Sequence, residues 1–321
     1  MKRLQRNVAM AAVVLLAAAG LAAARSTTMA VPGTVNYVEG QVGLNGQSLT
    51  AQQTGSTQVQ ANEVLGTGQG KAEVLLTPGV FFRLGDNTEM RMISPGLADT
   101  RVELLHGSAM LEVDQLFPQN DLSVVVNGAT TKIDKEGLYN FQAAPGSVSV
   151  IDGKATVYAG NAHVDVKKGH EVMLADGAPL KSQGWNKEAV ESDPLYRWSS
   201  LRGQYEADAN VNAAYMVNMN GGWYGPGWYW DPFWGFYSFL PASGFFYSPF
   251  GFGFYSPIWV SGHPYYHYPA IGRAGFRTAA GTHFARAPRA AAPSGFRSGG
   301  VSGGFRGGFS GGGFHGGGGR R

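Results

Sequence analysis

Residues 147–158 read Ser147-Val148-Ser149-Val150-Ile151-Asp152-Gly153-Lys154-Ala155-Thr156-Val157-Tyr158. Apolar and polar side chains alternate on both sides of Asp152-Gly153. A period of two puts one set on each face of a strand, and Asp-Gly suits the positive φ of a two-residue hairpin loop. The stretch predicts two antiparallel strands joined by a tight turn. The same pattern recurs outward from it. Thr34 to Val42, Ala72 to Leu76, Phe81 to Leu84 and Asn87 to Ile93 read as strands, with Thr77-Pro78-Gly79 as a turn. Val102 and Leu104, then Ala109, Leu111 and Val113, lie on either side of His106-Gly107. His163 to Val166 and Glu171 to Leu174 flank Lys168-Gly169. About ten to twelve short strands at this spacing predict a mainly β fold over residues 32–180, an all-β sandwich, roll or solenoid. No helical period interrupts them, which argues against a βαβ nucleotide-binding fold.

The order of these signals resembles the FecR domain, the exported sensing domain of iron-citrate-type anti-sigma regulators. The resemblance runs from Val38-Glu39-Gly40-Gln41-Val42 through residues 65–76 (LGTGQGKAEVLL) and Thr77-Pro78-Gly79-Val80-Phe81-Phe82-Arg83-Leu84. It continues through residues 102–109 (VELLHGSA), Gly137-Leu138-Tyr139-Asn140-Phe141 and residues 148–157, and closes at Lys168-Gly169-His170-Glu171-Val172. It covers under half the chain. It implies a non-enzymatic all-β envelope domain that engages other macromolecules. Regulators of that kind carry a helical sigma-binding domain before a membrane span. Here seven residues precede the first apolar run, so a direct anti-sigma role is not expected.

That run opens the chain. Lys2, Arg3 and Arg6 precede the uncharged segment Val8 to Ala24, and Ala22-Ala23-Ala24 offers small residues for cleavage before Arg25. This is the layout of a secretory signal peptide over 1–24. A retained anchor is the rival reading, since 17 apolar residues lie at the short edge for spanning a bilayer. With cleavage, no membrane span is expected, and the location is the periplasm or cell envelope of a Gram-negative-type bacterium, or outside the cell.

Beyond the β region, residues 184–216 read as a linker and helix. Asp193-Pro194 is a start signal, with Asp as N-cap and Pro in the first turn. Leu195, Trp198, Leu201, Tyr205 and Ala209 recur at helical spacing, with Arg202 and Glu206 mostly off that stripe. The stripe either packs on the β-domain or receives a partner. Gly203 predicts a frayed or kinked helix.

Residues 217–261 form an aromatic Pro/Gly-rich module. Between Trp223 and Trp259, 18 of 37 residues are aromatic, and Asp231 is the only charge in the block. Phe246-Tyr247-Ser248-Pro249 recurs as Phe254-Tyr255-Ser256-Pro257. Frequent Pro and Gly exclude a long helix or central strand, leaving an irregular chain of turns with stacked rings. It reads as a self-packed module or lid, a docking surface, or a carbohydrate-stacking platform. Its candidate partner contacts are Trp223, Trp228, Trp230, Trp234, Tyr247, Tyr255 and Trp259.

Residues 262–321 hold 18 Gly, eight Arg and no acid. Such a segment buries too little apolar surface to order itself, so disorder is expected. Arg297, Arg306, Arg320 and Arg321 are its candidate anion contacts. Residues 26–261 hold all 22 acids against 13 bases, so the overall +3 conceals an acidic body and a basic tail. Behind an export signal the tail points to an anionic surface or envelope polymer, not to nucleic acid.

Chemistry is sparse. Cysteine is absent, which excludes disulfides, thiolate zinc, iron–sulfur clusters and a cysteine nucleophile. Gly66-Thr67-Gly68-Gln69-Gly70-Lys71-Ala72 mimics a phosphate loop, but the spacing is wrong and Ala72 stands where Ser or Thr must hold magnesium. It reads as a turn. His163, Asp165, His170 and Glu171 are the densest potential metal ligands, and Glu112 with Asp114 reads as a solvated strand face. No catalytic residue, metal or cofactor is expected. The expectation is a binding or scaffold module for an envelope protein or polysaccharide, with envelope signalling as the alternative.

Overall fold

The computed structural model describes residues 30–174 and 179–263. Residues 1–24, expected to be an export signal, and residues 264–321, including Arg297, Arg306, Arg320 and Arg321, lie outside the described residues. The fold is mainly β, as the alternation predicts, followed by one long helix.

The strands are β1 (Thr34–Leu44), β2 (Gln47–Ser48), β3 (Val64–Leu75), β4 (Val80–Leu84), β5 (Glu89–Pro95), β6 (Asp99–His106) and β7 (Ser108–Val113). They continue as β8 (Asp121–Val126), β9 (Ala129–Ile133), β10 (Gly137–Gln142), β11 (Ser147–Asp152), β12 (Lys154–Ala159), β13 (Ala162–Lys167), β14 (His170–Met173) and β15 (Ser182–Gly184). All join one sheet, which divides at β3. The start of β3 pairs β5, whereas its end pairs β4. One wing runs β5-β6-β8-β9-β12-β13 and the other β4-β7-β10-β11-β14-β15. The wings meet again where β13 lies beside β14, so the sheet nearly closes.

Two local readings are corrected. Asp152-Gly153 does not make a hairpin. β11 pairs β10 and β14, while β12 pairs β9 and β13. The turn is a corner carrying the chain from one wing to the other. Gly153 has φ +97, and a Cβ there would fall 2.4 Å from the Tyr139 hydroxyl. His106-Gly107 and Lys168-Gly169 are corners of the same kind. Crossing twice, after β6 and after β7, brings the chain back in its original direction, which is why β6 and β8 are parallel. The second correction is the phosphate-loop mimic. Gly66 to Ala72 is no turn but lies inside β3. Its glycines let β1 pack close: a Cβ on Gly70 would stand 2.4 Å from the Glu39 carbonyl oxygen.

The main core lies between the wings. Val74, Phe82, Leu111, Tyr139 and Val150 meet Met92, Val102, Val124, Ile133 and Val157 there. On the second wing, the alternate residues Leu75, Phe81, Met110 and Leu138 are buried as well, on the opposite face. A strand buried on both faces loses its polar alternation, so Val80-Phe81-Phe82-Arg83-Leu84 is inaccessible throughout.

The cover on that outer face is the rest of the chain. Helix α1 (Lys187–Ser192) precedes α2 (Pro194–Asn220). Asp193 caps α2, its carboxylate accepting from the amides of Leu195 at 2.7 Å and Tyr196 at 3.2 Å. The helix is continuous through Gly203. Gly203 faces Phe250, Phe252 and Glu112, where an added Cβ would meet atoms at 3.3–3.4 Å. The glycine therefore permits a close approach rather than a kink.

The aromatic block is more regular than its Pro and Gly content predicts. Strands β16 (Gly227–Asp231) and β17 (Phe236–Leu240) form one hairpin, β18 (Phe245–Tyr247) and β19 (Gly253–Tyr255) another, and α3 (Pro257–Gly262) follows. The sequence repeat becomes the second hairpin. Phe246 pairs Phe254, with the rings stacked at 5.4 Å.

Candidate functional site

The helix face that docks is offset from the apolar stripe. Buried residues of α2 include Leu195, Ser199, Arg202, Glu206, Asn210 and Ala213, spaced at three and four. The middle of this stripe is polar because the sheet beneath it is polar too. Counting outward from Leu75, Phe81, Met110 and Leu138 by period two gives Glu73, Arg83, Glu112 and Asn140 on the same outer face. The solvated-face reading of Glu112 and Asp114 is thus overturned. Both residues are at most 5% exposed, and Gly203 of α2 lies over Glu112.

A continuous ionic layer results. Arg83 donates from Nε to Glu73 at 2.7 Å and from Nη1 to Glu112 at 2.6 Å. Arg202 donates from Nη2 to Glu73 at 2.8 Å and to Glu206 at 2.7 Å. The Arg202 guanidinium also lies between the rings of Tyr37 and Phe236, at 4.3 and 4.4 Å, a cation–π sandwich. Asn36 Nδ2 donates to Glu73, Glu206 and the Tyr237 carbonyl, and its Oδ1 accepts from the Tyr237 amide. Asn210 binds β17 and β19 alike: it donates to the carbonyls of Phe239 and Tyr255 and accepts from the Tyr255 amide.

Electrostatics divides these carboxyls. Burial opposes charge on Glu73, but Arg202 and Arg83 overcome it and hold the group well below the usual range. Burial, reinforced by Glu73, raises Glu206 well above it. Burial, reinforced by Glu112, does the same to Asp114. Glu112 is raised by burial against the pull of Arg83. These side chains hold the body together and are closed to solvent.

The candidate aromatic contacts divide in place. Trp228 is buried edge-on between Phe81 at 4.9 Å and Phe239 at 5.8 Å, so it serves the core and not a surface. Tyr255 is likewise buried. Trp223 is half-buried and stacked on Tyr229, Trp230 packs edge-on to Tyr237, and Trp234 lies beside Tyr205. Trp259 is half-buried between Phe245 at 4.8 Å and His263 at 4.2 Å. Only Tyr247 of the seven is exposed. Composition marked the block but could not say which rings point inward. Around these lie residues the composition did not single out: Met219 (81% exposed), Phe233 (72%), Tyr224 (71%) and Ile258 (62%). Seven of the eleven exposed large apolar side chains among the described residues fall between Met216 and Ile258.

Asp231, the block's one charge, is buried. It accepts from the amides of Phe233 and Trp234 and from Asn212 of α2. Of the potential metal ligands, Asp165 pairs with Lys154 at 2.8 Å and accepts from Thr156. Among the described residues no group of three His, Asp or Glu side chains is arranged to hold a metal. No helix among them is long and apolar enough to cross a membrane.

No protein-family model matches the chain, and no curated protein matches it. Partial likeness to solved structures is found. Two crystal structures of proteins proposed to be anti-sigma factors, from Parabacteroides distasonis ATCC 8503, superpose with a TM-score of 0.35 each. The 2.50 Å structure is 18% identical, covering 40% of this chain and 63% of that one. The 1.65 Å structure is 16% identical, covering 44% and 64%. The chain thus spans a little under two thirds of each.

Proposed function

We propose that this is a non-enzymatic, exported cell-envelope protein with a FecR-like β-domain, acting as a binding or scaffold module for an envelope protein or polysaccharide. The observation that carries this reading is the concentration of exposed apolar side chains on the aromatic block. Scattered surface hydrophobics need no explanation, whereas a concentration of them marks contact sites. Tyr and Trp suit such a role because they combine apolar area with a polar edge and few rotatable bonds. The charged side chains grouped most densely, Glu73, Arg83, Glu112, Arg202 and Glu206, are enclosed and engaged with one another. The basic Gly/Arg/Phe tail adds an anion-binding arm to this reading. Signalling through a separate membrane partner is the competing role.

Proximity labelling in the native envelope tests it. The wild-type chain and a Tyr224→Ser/Tyr247→Ser/Ile258→Ser variant are compared at equal abundance. These side chains are exposed, so stability should move by no more than about 0.5 kcal/mol each. Labelled partners that disappear in the variant identify the contact surface. An unchanged set excludes the aromatic rim. A sigma factor's membrane regulator among the lost partners would favour signalling.

A further inference from the structure

The ionic layer between α2 and the sheet is unbalanced. Four carboxyls, Glu73, Glu112, Asp114 and Glu206, are buried with only two guanidinium groups, Arg83 and Arg202. Each cation already bridges two carboxyls, Arg83 between Glu73 and Glu112 and Arg202 between Glu73 and Glu206, while Arg83 Nη2 and Arg202 Nε meet no acceptor among the described residues. Glu206 Oε2, Glu112 Oε1 and both Asp114 oxygens have no hydrogen-bond donor among the described residues while the groups are written as carboxylates. Burying a carboxylate that lacks a partner is costly enough that the group takes up a proton instead. With a proton on Glu206, beside Glu73, and one on Asp114, beside Glu112, the two remaining carboxylates balance the two guanidinium groups. The docked layer therefore holds protons that free carboxyls in water would release at neutral pH, and the one on Glu206 sits on α2 itself.

We propose that the interface between α2 and the outer face of the sheet is a proton-loaded latch, closed with Glu206 protonated and loosened as the pH rises. Opening hydrates Glu206, which gives its proton to solvent. The groups that face Glu206 are Glu73, Arg83 and Arg202, with Asn36 hydrogen-bonded to it and Tyr37 beneath Arg202. Those that face Asp114 are Glu112, Arg83 and Glu136. Tyr196 of α2 lies near Glu112 and is pushed up to about 12, chiefly by burial, so it stays neutral through the window considered. The sign follows from the direction of each shift. A carboxyl raised in the docked state, as Glu206 is, stabilises docking fully below its ordinary value of 4.5, and that contribution drains away as the pH climbs through the raised value. Glu73, held low, works in the opposite window and weakens docking only in acid.

Hydrogen exchange on the full chain between pH 5 and pH 9, corrected for intrinsic exchange, reads the latch. Amides of α2 from Ser199 to Asn210 report docking, and amides of β7 and β10 serve as the internal control. The expected result is a loss of α2 protection approaching tenfold per pH unit for each proton released, with the sheet amides retained. In Glu206→Gln, where an amide replaces the protonated acid, the slope should fall by one proton. Protection of α2 that is flat from pH 5 to pH 9 in the wild type would overturn the proposal. So would a parallel loss in α2 and sheet, which would mean global unfolding. So would an unchanged slope in a folded Glu206→Gln variant.

Discussion

At the scale of single residues, Glu73 is where the two halves of the ionic layer join, because each of its oxygens accepts from a different arginine. Removing one partner of a buried pair costs far more than the pair's net worth, since a charge is left unpaired. Glu73→Gln should therefore destabilise the protein by about 3–5 kcal/mol. Asp121→Asn, which breaks the half-exposed pair with Lys132, should cost under about 1 kcal/mol. Urea titrations of the two variants compare them directly. Equal losses would show that the buried layer contributes no more than a surface bridge. None of this was legible in sequence at this scale. Glu112 and Asp114 look solvated, and Arg202 and Glu206 fall mostly off the apolar stripe, because no local signal says that two polar faces, one on a strand and one on a helix, will close on each other. Asp193-Pro194 was legible because a cap is settled by its own neighbours.

At the scale of elements, what could be read was periodicity, and what could not was pairing. The alternation of residues 147–158 correctly made two strands. Asp-Gly then favoured a hairpin, because a turn that tight normally returns a strand along its neighbour. Here the neighbouring positions beside β11 are taken by β10 and β14, so the turn becomes a corner between wings. A corner constrains its glycine more than an open turn does. Gly153 (φ +97) has the Tyr139 hydroxyl and the Glu136 carbonyl where a Cβ would stand, whereas Gly160 (φ +56), in the true hairpin between β12 and β13, has nothing within 4 Å. Gly160→Ala should cost about 1 kcal/mol for the left-handed backbone alone. Gly153→Ala should cost at least roughly twice that, because the clash adds to the same backbone term. Thermal melts settle it, and equal losses would mean that the corner relaxes freely. The helix teaches the same lesson. Its apolar stripe from Leu195 to Ala209 was readable, but the buried face is rotated toward Ser199, Arg202, Glu206 and Asn210, since partners on the sheet, not hydropathy, determine which face turns inward.

At the scale of the whole molecule, the composition changes near residues 184 and 217 mark real shifts in sequence, but the buried contacts run across both. Asn36 of β1, Glu206 of α2 and the backbone of Tyr237 in β17 share hydrogen bonds, and Leu75, Phe81, Met110 and Leu138 are covered by α2 and the aromatic hairpins. A chain ending at Gly184 would bare those four side chains, each worth about 1.5–3 kcal/mol when fully buried. It would also move the pairs of Arg83 with Glu73 and Glu112 toward water, where such pairs contribute little. Part of this loss is offset by the entropy no longer spent on ordering the cover. The net is still expected to be several kcal/mol, and at 2–4 °C per kcal/mol for a body of this size the melting temperature should fall by about 10 °C or more. Circular dichroism melts of the full chain and of the fragment ending at Gly184 measure it, with apolar dye binding as a second readout of the bared face. A fragment that melts where the full chain does, and binds no more dye, would mean that the second wing needs no cover and that α2 and the hairpins are appended to a self-sufficient domain. A lower melt with increased dye binding would show that the aromatic block completes the fold on its inner side while offering its exposed rim on the other.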